Sequence, residues 1–86
     1  MNPVKALFQA MEWTTQEAAQ NFKIEYENLR RIMKGVPVEL PDAFKLRLMR
    51  YLGMSLEAVD ALNEAYVNWR NNEAGNNRLT GHFSVK

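Results

Sequence analysis

Thr14–Gly35 reads TTQEAAQNFKIEYENLRRIMKG, two short helical patterns interrupted at Lys23 and Ile24. Thr14 and Glu17 have the spacing of a capping box, in which each side chain satisfies the other's free backbone N–H, so a helix starts near Thr15. Trp13, just outside it, is placed to staple onto Ala18. This pattern ends near Phe22. A second begins at Tyr26, sets Leu29, Ile32 and Met33 on one side, and stops at Gly35, a residue suited to the left-handed conformation that follows a helix. Two helices separated by a turn of about three residues have the proportions of a helix-turn-helix. The second helix poses a puzzle. Glu25 and Glu27 stand at its start and Arg30, Arg31 and Lys34 at its end, so a helix reading nucleic acid here would turn carboxylates toward a polyanion.

Outward from this stretch the chain stays helical. Asn2 and Pro3 form an N-cap followed by a favoured first helical residue, and Val4, Leu7, Phe8 and Met11 follow at helical spacing. VPVELP carries two prolines and reads as an extended connection. Pro41 opens a helix in which Phe44, Leu48, Tyr51 and Leu52 share a face, widened by Leu46 and Met49, until Gly53 ends it. Ser55 caps a last helix with Leu56, Val59, Leu62, Tyr66 and Trp69 at spacings of three and four. It fades in the Asn/Gly-rich NNEAGNNR. The final LTGHFSVK alternates Leu79, Gly81, Phe83 and Val85 against polar residues, the period of a strand that needs a partner edge. The expected fold class is all-α: a compact five-helix bundle over residues 1–71, with residues 72–86 as linker and tail.

A chain of 86 residues makes one domain with a modest core, for which self-association is a natural source of extra stability. With 47% hydrophobic and 24% charged residues it belongs with ordinary globular proteins and not with disordered ones. The net charge of +1 does not announce a nucleic-acid partner, but its distribution is uneven. Lys23, Arg30, Arg31, Lys34, Lys45, Arg47 and Arg50 outnumber the acids in residues 23–50. Residues 56–75 set Arg70 alone against Glu57, Asp60, Glu64 and Glu73. Cysteine is absent, which excludes disulfide and thiolate chemistry. The N-terminus lacks the pattern of a secretory leader, and no run approaches the roughly 20 apolar residues that span a bilayer. The expectation is a soluble cytoplasmic protein. His82 is the only histidine and has no companion carboxylates, so no metal is expected. With no nucleophilic triad and no phosphate-binding glycine loop, neither catalysis, a cofactor nor a small-molecule substrate is expected.

TTQEAAQNFKIEYENLRRIMKG followed by FKLRLMRYLGMSLEAV resembles the Cro and lambda-repressor-like (XRE-type) helix-turn-helix domains of phages and bacteria, over Asn2 to Asn71. Its markers are Gln16 and Ala19 in the first helix of the motif, Ile24 in the turn, Leu29 and Ile32 in the second helix, Gly35 after it, and YLGMSL before the last helix. Lys23 departs from the pattern where the family usually has glycine, and Glu25 where a Ser or Thr N-cap is common. A lysine enters a left-handed turn at roughly 1 kcal/mol, which weakens the motif without abolishing it.

The resemblance implies that Tyr26, Glu27, Arg30, Arg31 and Lys34 face the major groove, with Thr15, Gln16 and Lys23 at phosphates. On this reading Arg30 and Arg31 contact guanine, Glu27 accepts from the N4 amino group of cytosine or poses a guanidinium, and Glu25 is helix-start chemistry. The bland alternative is a solvated helix face with ordinary ion pairs. The implied function is that of a sequence-specific, double-stranded DNA-binding regulator, a Cro-type phage or prophage repressor acting as a homodimer on a palindromic operator. The rival is a protein-interaction module on the same fold, either an antitoxin-like partner or a phage protein that binds a host factor. Dimer contacts are expected from Tyr66, Trp69, Leu79, Phe83 and Val85.

Overall fold

The computed structural model describes residues 1–74, and among these the regular structure is entirely helical: α1 (Pro3–Ala10), α2 (Thr15–Phe22), α3 (Tyr26–Met33), α4 (Asp42–Leu52) and α5 (Leu56–Trp69). A π-helical turn over Arg70–Ala74 carries the chain past the point where the sequence suggests a linker. The expected tail strand, with Leu79, Phe83 and Val85, lies outside the described residues. Among the described residues no helix is long and apolar enough to cross a membrane.

Local signals set the helix ends. The Asn2 side chain caps α1, the Thr14–Glu17 capping box opens α2, and Ser55 caps α5. The C-termini of α1, α2 and α3 all close by the same pair of backbone bonds. In each, a residue two or three positions past the helix reaches back to a carbonyl five residues earlier: Trp13 to Phe8, Ile24 to Ala19, Val36 to Arg31. The residue between must be left-handed. Gly35 suits this at φ 77°, whereas Glu12 (φ 60°) and Lys23 (φ 54°) carry a Cβ into it. Glu12→Gly is therefore expected to stabilise the fold by about 0.5–1 kcal/mol, after subtracting the entropy glycine gains in the unfolded chain. A thermal melt raised by about 2–6 °C is the expected reading. An unchanged or lowered melt would mean that Glu12 is not strained.

The core is a ring cluster with aliphatic walls. Phe22, fully buried, packs against Phe8 at 5.7 Å, Trp13 at 5.7 Å, Phe44 at 5.8 Å and Tyr51 at 6.2 Å between centroids. Val4, Leu29, Ile32, Leu40, Leu48 and Val59 complete it. Buried Ala18 and Ala19 keep α2 slim where α3 crosses it.

Three expectations change. Leu46 and Leu56, placed on apolar faces by their spacing, are 65% and 60% exposed. Both lie at the edge of their stripes, where no neighbouring helix reaches. Tyr66 is fully buried within its own subunit and donates its hydroxyl to the Pro37 carbonyl at 2.9 Å, so it has no surface to give a second subunit. Trp69 is half-buried and packs against Tyr66 at 5.9 Å, which leaves only part of its ring for any partner.

Candidate nucleic-acid interface

Lys23–Glu25 forms the turn between α2 and α3, and both helices of the motif are fastened by side chains from distant parts of the chain. Asn2 is buried. Its Nδ2 donates to the Ile32 and Met33 carbonyls, both at 3.1 Å, while its Oδ1 accepts from the Val4 N–H at 2.9 Å. One amide thus opens α1 and closes α3, supplying donors to carbonyls that a helix end leaves without partners. Arg47 of α4 does the same for α2: its Nε donates to the Phe22 carbonyl at 2.9 Å, and its Nη1 ties back to Ala43 at 3.1 Å.

The connection from α3 to α4 is held by one face of α5 and by Arg70, the first residue of the π-helical turn after it. Asn63 Oδ1 accepts from the Leu40 N–H at 2.8 Å, Tyr66 donates to Pro37, and Arg70 Nε donates to the Gly35 carbonyl at 2.8 Å. Positions 63, 66 and 70 fall on one side of a helix, so the three bonds form a row. They satisfy backbone groups of a proline-interrupted segment that has no ladder of its own. Sequence reasoning saw only the capping role of Asn2. In the sequence Arg47 and Arg70 read only as charges, and nothing marks Asn63.

With its inner side anchored by Leu29 and Ile32, α3 presents Tyr26, Glu27, Arg30, Arg31 and Lys34 to solvent, and Lys23 joins them from the turn. Arg30 Nη1 lies 3.2 Å and 3.4 Å from the two Glu27 carboxylate oxygens. The guanidinium that Glu27 poses is therefore that of Arg30 and not of Arg31. Among the described residues Arg31, Lys34 and Lys23 have no ion-pair partner. Glu25 occupies the N-cap position with extended backbone and makes no capping bond through its side chain. The charge order now has a local explanation. Glu27 in the first turn and Arg30 and Arg31 in the last oppose the helix dipole at both ends, and the exposed Glu27–Arg30 pair adds a few tenths of a kcal/mol.

At the start of α2 the Glu17 N–H donates to Thr14 Oγ1 at 3.1 Å, and the Thr14 N–H donates to Glu17 Oε1 at 2.8 Å. The box leaves the N–H groups of half-buried Thr15 and exposed Gln16 without helical acceptors, which is the chemistry a phosphate uses. Glu17 stands in the same turn and opposes an anion there. No family model, curated protein or solved structure matches this chain.

Proposed function

We propose that this protein is a sequence-specific, double-stranded DNA-binding regulator of the Cro type, acting as a homodimer on a two-fold operator in the cytoplasm of a bacterial host. The observation that carries the reading is the outer face of α3. Its C-terminal end is fastened by Asn2 and the segment after it by Arg70, it bears the unpaired cations Arg31 and Lys34, and its Arg30 is posed by Glu27. A guanidinium fixed before binding loses less freedom when it meets guanine. Thr15, Gln16 and Lys23 flank this face as phosphate partners, and repression follows from occlusion of the promoter, with no chemistry performed. One reading helix touches few bases, so two heads about 34 Å apart supply the discrimination. Selection of bound sequences from random duplex DNA tests this directly: a palindromic consensus supports both function and symmetry, and no enrichment removes the reading.

Glu27→Ala is expected to lower the ratio of specific to nonspecific affinity by about five- to tenfold, because Arg30 loses the group that poses it. Nonspecific affinity stays level or rises, since a negative charge near phosphates is gone. If all binding rises and the ratio is unchanged, the carboxylate is merely tolerated.

A second reading, a protein-interaction module, is favoured by the segment that follows α3. Val36 and Val38 are 48% and 69% exposed there, and Glu39 is the only charged side chain of VPVELP, residues 36–41. That surface offers apolar contact and nothing for a phosphate. A salt series separates the two, because phosphate contacts make affinity fall steeply with salt.

A further inference from the structure

Between α3 and the start of α4 lies a half-open groove of about 520 Å³ whose accessible apolar wall is Ile24, Pro37, Pro41 and Ala43, laid over the buried Ile32 and Phe44. Lys23, Arg31 and Arg47 line it, with Glu25 as the one acid. A smaller hollow of about 210 Å³, formed by Leu46, Arg47, Arg50 and Tyr51, adjoins it through Arg47. Arg47 is fixed by its bonds to Phe22 and Ala43, which use Nε and Nη1 and leave Nη2 unspent. The Arg50 guanidinium lies 5.8 Å over the Tyr51 ring, and Leu46 stands 65% exposed on the rim. Two apolar hollows thus flank one immobilised arginine, within a surface where cations outnumber acids.

We infer that this surface docks an acidic segment of another protein, one that carries a carboxylate between two large apolar side chains. The carboxylate pairs with Arg47, and the apolar groups seat against Ile24 and Pro41 on one side and against Leu46 on the other. Charge complementarity selects an acid. The apolar wall selects against a bare phosphodiester, which would lose hydration over Ile24 and Pro41 without hydrogen bonds in return. A half-open groove also buries too little of a small ligand to hold it. This chain's own acidic stripe, Glu57, Asp60 and Glu64 on α5, has Leu56 as its one large exposed apolar residue and so leaves one hollow unfilled. The segment LTGHFSVK carries no acid at all. Docking engages Arg31 as well, so on the DNA reading proposed above the partner competes with the operator.

The test uses the full chain and a fluorescein-labelled nonapeptide of alternating glutamate and leucine, in low salt and without DNA. The expected result is a dissociation constant below about 1 mM, with amide shifts confined to residues 23–32 and 41–51. Controls with lysine for glutamate, or serine for leucine, bind at least about tenfold more weakly. Leu46→Ser and Arg50→Ser, both at exposed positions, weaken binding to a similar degree without lowering the thermal melt. Equal binding by either control, or shifts centred on α5, would overturn the assignment. Sedimentation of the free chain is the second arm: self-association that buries Leu46 would make a second copy the occupant and overturn it as well. Because the titration contains no DNA, failure to bind duplex would remove the DNA reading alone.

Discussion

Asn2→Asp is expected to destabilise the fold by about 3 kcal/mol, and Asn2→Ala by about 2 kcal/mol, an order opposite to that of an ordinary helix cap. At an N-cap aspartate equals asparagine and exceeds alanine, because only the accepting oxygen matters. Here the other half of the amide matters too. Nδ2 donates to two carbonyls at the negative end of α3, and the site is 4% exposed. Alanine removes the Met33 carbonyl's side-chain donor and leaves the Ile32 carbonyl with only the Gly35 N–H. Aspartate keeps the cap but presses a carboxylate against two oxygens, which favours its protonated form in the folded state. The sign follows: the folded pKa rises above the unfolded one, so the deficit of the aspartate variant shrinks as pH falls toward about 4. A domain of this size holds on the order of 4–13 kcal/mol in total, so chemical denaturation resolves the difference readily. If aspartate matches asparagine at neutral pH, the tie between α1 and α3 contributes nothing.

Arg31→Glu is expected to weaken duplex binding by about a hundredfold or more at low salt, close to 3 kcal/mol, while the thermal melt stays within a degree or two. Arg31 is exposed and has no ion-pair partner among the described residues, so its replacement disturbs no internal contact. The substitution changes the local charge by two beside a polyanion, whereas Arg31→Ala removes one charge and should cost about 1–3 kcal/mol with relaxed preference at one operator position. The slope of affinity against salt should shrink with it. Affinity within threefold of wild type, on selected and random duplexes alike, would remove Arg31 from the interface.

What the sequence disclosed was local. Thr14 with Glu17, Ser55, Gly35 and Gly53 act on neighbours a few residues away, and each sits where its spacing placed it. The left-handed Lys23, expected as a departure at modest cost, is left-handed. The exposure of Tyr26, Arg30, Arg31 and Lys34 also follows from one helical period, since burying Leu29 and Ile32 fixes the opposite side. What was not legible is long-range and runs from side chain to backbone. The bonds from Asn2 to Ile32, from Arg47 to Phe22 and from Arg70 to Gly35 join residues 30, 25 and 35 positions apart. A carbonyl acceptor leaves no mark in a sequence, because every residue has one. Tyr66 failed for a related reason: its period put it on an apolar face, but periodicity does not say whether the neighbour on that face belongs to the same molecule. Leu46 and Leu56 failed in the other direction, at stripe edges that a helical wheel counts as interior.

The row of Asn63, Tyr66 and Arg70 along α5 also orders events in time. Translation delivers Gly35 first and the arginine that bonds its carbonyl 35 residues later. A chain still on the ribosome with α5 inside the exit tunnel therefore has α3 but not the fastening that holds Gly35–Leu40 in place. The backbone of Gly35–Leu40 thus receives its side-chain donors and acceptor only after α5 and Arg70 have been made.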